Sequence, residues 1–533
     1  MSNWIEWVES VIVAAVCAIS CRYYLHMFQL ESYQLDGYKR WLSKNREGLM
    51  GFSLTLAVAA TGVSLLGGLL LRFLMGETWG RAVTTIVTLG GFIYAAYVLF
   101  NQQYKAPEKK PLALTPRMKR LIVCAFVVTV VAANLVSYLG VPPYILYVAL
   151  AYIVMVAGYI MQPIEKMINN WYKYDAEDRL EKRADLIKIG ITGSYGKTST
   201  KFILAAILSE KYDVLATPSS FNTPMGLTRV IREQLEPHHQ VFLAEMGARH
   251  VGDIKELVEL VKPKYGVLTS VGAQHLETFG NVETVANTKY ELIEGLPQDG
   301  VAFFGKDGEW VDKLYARCKI EKYCAGLSGG FKNMYAEDIT VGPEGSSFTL
   351  CTAEGERVAC KTRMLGMHNI GNIVLACMVG KRLGMTMDEV ARGVNKTEPV
   401  EHRLQLIKNP NGVTVIDDAF NSNPVGAKAA LDVLRDFPGR RVIVTPGMVE
   451  GGEDEAALNY TFGSQMYESC DVIILVGKKR TEPIRKGALD AGFDAAQLYP
   501  VGNLTEATQL LAHIGKPNDV VLFENDLPDN YSE

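Results

Sequence analysis

The stretch Ile189-Gly190-Ile191-Thr192-Gly193-Ser194-Tyr195-Gly196-Lys197-Thr198-Ser199-Thr200 decides how this chain is read. A β-branched run enters a turn bearing two glycines. Phe202-Ile203-Leu204-Ala205-Ala206-Ile207-Leu208 then reads as a helix. Strand, glycine turn and helix in that order aim backbone N–H groups and a helix N-terminus at phosphate. Gly193 and Gly196 keep side chains away from the anion, Lys197 reaches the outer phosphates, and the Thr198 hydroxyl suits Mg²⁺. The general pattern G-x-x-x-x-G-K-[ST] places glycine where this chain has Ile191. A plain turn between a core strand and a helix is the alternative, but Gly-Lys-Thr behind a strand is specific.

Around this loop, strand-like runs at 186–192, 241–245, 265–270 and 301–304 alternate with helical patterns. That is the sign of an α/β fold, a mostly parallel sheet covered on both faces. A second α/β unit begins near Val400, with strands expected at 412–416, 441–445, 472–476 and 520–523. Polar residues then fall at strand ends, where ligands bind in open α/β sheets. Glu245 closes Val241-Phe242-Leu243-Ala244, and His275 follows Val271-Gly272. By itself Glu245 is as readily a structural carboxylate as a metal ligand, His275 reads as a hydrogen-bonded structural residue, and Lys289 as a solvated helix lysine.

The rest of the chain has a different character. At 533 residues it exceeds one core, and three or more domains are expected. The net charge of −4 with 21% charged residues gives no pull toward nucleic acid, and none is expected as a partner. Nine cysteines without CxxC pairs suggest a reducing compartment, with neither disulfide framework nor zinc ribbon.

Residues 1–161 are strongly apolar. Segments 51–71, 82–100, 121–139 and 144–161 each match the ~20 residues a bilayer core needs. A weaker fifth, 11–28, is interrupted by Arg22. It lacks the basic start and small-residue cleavage site of a signal peptide, carrying Glu6 and Glu9 instead. Lys39, Arg40, Lys44 and Arg46 occupy one inter-segment loop, and Lys105, Lys109, Lys110, Arg117, Lys119 and Arg120 another. Loops 76–80 and 140–143 have no Lys or Arg. The positive-inside rule then predicts a multi-pass membrane protein with the N-terminus outside and everything after Gln162 in the cytoplasm. Residues 28–42 read equally as an interfacial amphipathic segment or as a partly buried connection. The expected organisation is a transmembrane region at 1–161, a helical stalk at 162–185, an ATP-binding domain at 186–399 and a C-terminal domain at 400–533. The membrane region is read either as an anchor alone or as a platform for a lipid substrate.

Thr192-Gly193-Ser194-Tyr195-Gly196-Lys197-Thr198-Ser199 closely resembles the ATP loop of the Mur ligases, which tolerate a residue such as Ile191. Further motifs follow in that family's order: Glu245-Met246-Gly247, Gly272-Ala273-Gln274-His275, Lys289-Tyr290-Glu291, Gly366-Met367-His368-Asn369-Ile370-Gly371-Asn372, Glu401-His402-Arg403-Leu404, and Asp417-Asp418-Ala419-Phe420-Asn421-Ser422-Asn423-Pro424. The set is most similar to the type that adds D-alanyl-D-alanine to UDP-N-acetylmuramoyl-tripeptide, over about residues 186–450.

The resemblance implies a central P-loop ATPase domain, a Rossmann-like C-terminal domain, and the cofactors ATP and two Mg²⁺. Lys197 would hold the β- and γ-phosphates, and Thr198 with Glu245 one Mg²⁺. His275 would take the second with Lys289, which the family carbamylates. His368, Asn369 and Asn372 match the nucleotide-base region, Arg403 and Asp418 the part that closes on ATP, and Asn222 a contact near the γ-phosphate. The implied reaction is amide formation through an acyl phosphate in peptidoglycan precursor synthesis, and the membrane implied is the bacterial inner (cytoplasmic) one, with the catalytic domains on its cytoplasmic side. It would join a muropeptide or related carboxylate acceptor, soluble or lipid-linked, to an amino-acid or dipeptide amine. A polyglutamate-like ligase and a non-catalytic ATP-binding scaffold are the alternatives. Three departures stand out: apolar segments where the family has a UDP-sugar-binding domain, Ser270 where asparagine is frequent, and Glu524-Asn525-Asp526-Leu527 where a Lys-Gly-Ser-Arg stretch is usual.

Overall fold

The computed structural model describes residues 2–104, 111–219, 221–305, 308–327, 333–408, 412–420, 422–449 and 454–526. The basic residues Lys105, Lys109 and Lys110, Asn421 of the Asp417–Pro424 motif, and the C-terminal Leu527 lie outside them. Two compact units divide within one helix, at Trp171/Tyr172.

The first unit is helical: α1 (Ser2–Ser20), α2 (Arg22–Leu30), α3 (Leu35–Met75), α4 (Glu77–Tyr104), α5 (Pro116–Tyr138), a 3-10 segment (Pro143–Ala149) and the start of α6 (Leu150–Glu181). Among the described residues, four helices are long and apolar enough to cross a membrane. They become five if α1 and α2, bent by 41° just before Arg22, count as one. The packing is inverted relative to a water-soluble bundle. On α5, Leu121, Ala125, Thr129 and Ala133 are buried, while Val123, Val127, Val131 and Leu135 point outward. Along α5 the buried positions are mostly small and the exposed ones branched and apolar, the arrangement expected where the surroundings are themselves apolar.

One detail differs from the sequence expectations. Helix α4 begins five residues before the expected segment and includes Arg81; Arg81 and Arg72 both pair with Glu77 (3.5 and 3.6 Å) around the loop that holds no Lys or Arg. Residues 28–42 form the α2–α3 corner. Phe28 and Tyr38 are buried there, with ring centroids 5.2 Å apart, while Leu30, Gln34, Lys39 and Arg40 are exposed.

In the second unit α6 ends, and its last turns are packed. Ala176, Leu180 and Leu186 join a hydrophobic core, while Lys173–Glu256, Asp175–Arg232 and Glu181–Lys262 pair at 2.6 Å. The chain continues through β1 (Ile187–Thr192), α7 (Lys197–Leu208), β2 (Val214–Ala216), α8 (Pro224–Gln234), β3 (Val241–Glu245), α9 (Asp253–Val261) and β4 (Tyr265–Leu268). Next are α10 (Leu276–Phe279), α11 (Val282–Glu294), β5 (Val301–Gly305), α12 (Glu309–Arg317) and β6 (Glu321–Gly326). Strands β7 (Met334–Gly342), β8 (Gly345–Thr352) and β9 (Arg357–Thr362) then precede α13 (Met367–Arg382) and α14 (Met387–Asn395). The sheet order is β2-β3-β1-β4-β5-β6-β7-β8-β9, parallel through β7 and antiparallel beyond. Successive residues of β3 and β5 enter opposite cores: Leu243 and Phe303 on one face, Phe242 and Phe304 on the other. Burial on both faces explains why these strands are continuous apolar runs.

A second sheet, ordered β10-β11-β15-β12-β13-β14, holds β10 (Gln405–Lys408), β11 (Thr414–Asp418), β12 (Arg441–Thr445), β13 (Val472–Val476), β14 (Leu498–Val501) and β15 (Val520–Glu524). Between them run α15 (Pro424–Arg435), α16 (Glu455–Ser469), α17 (Glu482–Asp490) and α18 (Leu504–Ile514). All its pairings are parallel except β10 with β11.

Candidate active site

Strands β1, β3 and β4 are neighbours, so their C-terminal ends bring residues 192–198, 245–247 and 269–275 to one edge. Gly193 has φ 148°, and a Cβ there would fall 2.1 Å from Thr269 Oγ1. Gly196, at φ 77°, precedes the first turn of α7. Both positions need a residue without a side chain. Ser270 explains one departure from the family pattern. Its hydroxyl accepts from Tyr195 N (2.9 Å) and donates to Tyr195 O (3.0 Å), bracing the loop. Ser194 Oγ bridges in the same way to Gly272.

Lys197 folds back on its own loop, donating to Gly193 O (2.7 Å) and Ser194 O (3.0 Å). Desolvation lowers its pKa to about 8, opposed by Glu245 and aided by Arg403. Glu245 is buried, and its carboxylate accepts three hydrogen bonds. Thr198 Oγ1 (3.1 Å) and Asn222 Nδ2 (3.2 Å) reach Oε1, and Lys201 Nζ reaches Oε2 at 3.0 Å. Lys201, with no exposed side chain, also donates to Ser219 O. Sequence reasoning missed it, yet 201, 204 and 208 form a buried helical stripe on α7, and a lysine on such a stripe needs a partner.

Lys289, on α11, is buried, and desolvation first, then the charge of Lys197, lower its pKa to about 7. His275 caps α10 with a left-handed backbone (φ 52°). From the C-terminal domain, Arg403 brings Nη2 to 3.5 Å from Thr198 Oγ1 and lays its guanidinium 4.4 Å from the Phe420 ring. Asp418 accepts from Leu404 N (3.1 Å). Burial first, then the nearby Glu524 charge, push Asp418 up to about 8.

These groups line one cleft of about 680 Å³. Its walls include Ser194, Tyr195, Gly196, Lys197, Thr198, Ser199, Asn222, Glu245, His275, Lys289, His368, Asn369, Asn372, Arg403 and Asp418. Two of the expected nucleotide contacts also bond within the protein. Thr192 is wholly buried beneath the cleft, its hydroxyl donating to Met246 O (2.9 Å). Asn369 reaches the wall, but its amide N–H₂ donates to Leu365 O (2.8 Å) at the start of α13. Phe420 was missed because an exposed phenylalanine in a loop carries no signal alone.

A metal needs hard oxygens here, and Thr198 with Glu245 supplies them. Among the described residues no cluster of three or more His, Cys, Asp or Glu side chains could hold a metal ion. His275 and Lys289 both line the same cleft.

Residues 191–380 match the Mur ligase middle domain family, and residues 402–524 the family described as Mur ligase, glutamate ligase domain. The UDP-N-acetylmuramoyl-tripeptide–D-alanyl-D-alanine ligase of Bacillus subtilis is 30% identical over 339 residues, covering 63% of this chain and 72% of the relative. The Escherichia coli enzyme of the same name is 31% identical over 295 residues, covering 55% and 64%. Among solved structures, MurF of Acinetobacter baumannii aligns with TM-score 0.61 at 25% identity, covering 67% of this chain and 77% of that one. MurF of Thermotoga maritima in complex with ADP gives 0.60 at 25%, covering 67% and 80%. Residues 1–161 lie outside both family matches.

Proposed function

The chain belongs to the Mur ligase family, and on that premise we propose that it is a MurF-like, ATP-dependent amide ligase of peptidoglycan synthesis, held at the inner face of a membrane. The observation that carries the ligase reading is the single cleft joining the phosphate loop, Glu245 and Lys289 to Arg403 and Asp418. The acceptor carboxylate attacks the γ-phosphorus of ATP and ADP leaves. The amine then attacks the acyl carbon and phosphate leaves.

Each residue has a part in this reading. Lys197 exchanges its two carbonyl bonds for phosphate oxygens. Arg403 comes from the second domain to neutralise the transferring group. Mg²⁺ at Thr198 and Glu245 would supply further charge neutralisation. Lys289 is read as the carbamylated ligand that His275 needs: a neutral amine is the form that adds CO₂, releasing a proton, and burial lowers this amine's pKa. His368 and Asn372 border the base, and Asn222 steadies Glu245. Closure over the acyl phosphate excludes water.

The outward apolar stripes of the helical unit support membrane anchoring and make a lipid-linked muropeptide the second acceptor to test. Basic residues 39–46 and 117–120 would then face the cytoplasm. The test incubates detergent-solubilised full-length protein with ATP, UDP-linked or lipid-linked muropeptide, and D-Ala-D-Ala or single amino acids. Phosphate release is measured and products are weighed by mass spectrometry. Release that needs both acceptor and amine supports the ligase, and the product mass identifies the pair. ATP bound without such release supports the scaffold instead.

A further inference from the structure

We propose that the His402–Asp417 pair is a positioning latch for Arg403, holding residues 401–404 in the one backbone shape that aims the guanidinium at Thr198. This deepens the ligase reading and rests on it. Both neighbours of Arg403 are non-glycine residues in the left-handed region, His402 at φ 58° and Leu404 at φ 49°. Two such residues flanking one arginine persist only where their surroundings fix them.

The fixing groups lie on one strand end. Asp417 Oδ2 is 2.7 Å from His402 Nδ1, while its Oδ1 accepts from Ala419 N (3.1 Å), so the carboxylate is itself oriented. The next residue, Asp418, takes Leu404 N–H, and the Leu404 side chain is sunk in the C-terminal core. Two residues further, Phe420 supplies the ring beside the guanidinium. Consecutive positions of β11 and its exit thus clamp the segment on both sides of Arg403 and support the side chain between. Neither His402 nor Asp417 lines the cleft, so they act through Arg403 and not on substrate.

The test uses full-length protein in detergent and two readouts. The first is hydrogen exchange of the peptide spanning 401–405, which needs no activity. The second is phosphate release, giving kcat and KM for ATP. Asp417→Ala should speed exchange of that peptide at least tenfold. It should also lower kcat about tenfold with KM for ATP unchanged within twofold, a misalignment effect. Asp417→Asn keeps one oxygen for Ala419 N–H and turns its amide N–H₂ to His402 Nδ1, which accepts in the other tautomer, and should restore most of both. In an Arg403→Ala background, Asp417→Ala should cost no more than twofold further. Unchanged exchange in Asp417→Ala overturns the latch, as does an equal kcat loss with and without Arg403. Wild-type protein that releases no phosphate defeats the ligase reading separately, and the exchange measurement still decides the latch.

Discussion

Replacing Lys201 by methionine tests whether the Glu245 carboxylate is held as described. The substitution keeps most of the side-chain volume but removes an ammonium that has no exposed surface and lies 3.0 Å from Glu245 Oε2. Breaking a buried pair by deleting one partner costs about 3–5 kcal/mol, because the other charge stays buried. Glu245 keeps its bonds from Thr198 and Asn222, so the lower end, about 3 kcal/mol, applies. For a domain of this size, about 2–4 °C per kcal/mol gives a melting temperature lower by roughly 6–12 °C. The assay is calorimetry of the full-length, nucleotide-free protein in detergent, following the transition of the ATP-binding domain. Lys201→Met combined with Glu245→Gln removes both charges and should recover about half of the loss, since a neutral amide still bonds Thr198. A fall under about 2 °C, or additive losses in the double variant, would refute the pairing argument.

Three other outcomes are expected. The folded-state pKa of Asp418 is raised to about 8, so between about pH 4 and 8 the folded chain binds more protons than the unfolded one. Stability therefore falls as pH rises through that window, and Asp418→Asn should flatten the slope of melting temperature against pH. Gly193→Ala puts a Cβ against Thr269 Oγ1 at a φ that alanine rarely adopts, and should weaken ATP binding by calorimetry about a hundredfold. Full-length protein should stay in the membrane pellet through alkaline carbonate washing, since Leu65, Leu66, Leu69 and Leu70 face outward; release into the supernatant would remove the spanning reading.

Much of the fold is legible in the residues where burial on both faces demanded it. Strands β3, β12 and β13 coincide with the apolar runs that announce them, because a strand covered by helices on both faces is apolar through its middle and carries polar residues only at its ends. Strands β7 to β9 escaped notice for the converse reason. They are antiparallel, face solvent on one side, and mix Glu337, Asp338 and Lys361 into an alternation too irregular to separate from loop. Most of the cleft followed from motifs that carry chemistry in their residue types. Lys201 did not, because its meaning depends on a carboxylate 44 positions away. Nor did the latch, because a left-handed backbone at His402 and Leu404 leaves no trace in residue identity. The stalk was legible as a helix, but only packing shows its charges paired with Arg232, Glu256 and Lys262.

The back-folded Lys197 bears on inhibitor chemistry. Its ammonium already holds two backbone carbonyls, so a neutral compound entering the adenine end of the cleft gives it no reason to move. An anionic group exchanges those bonds for a charge-assisted one, roughly twice as strong as a neutral one. Compounds carrying a phosphate mimic into the loop would therefore gain selectively from this lysine, and flat uncharged heterocycles would leave it where it rests.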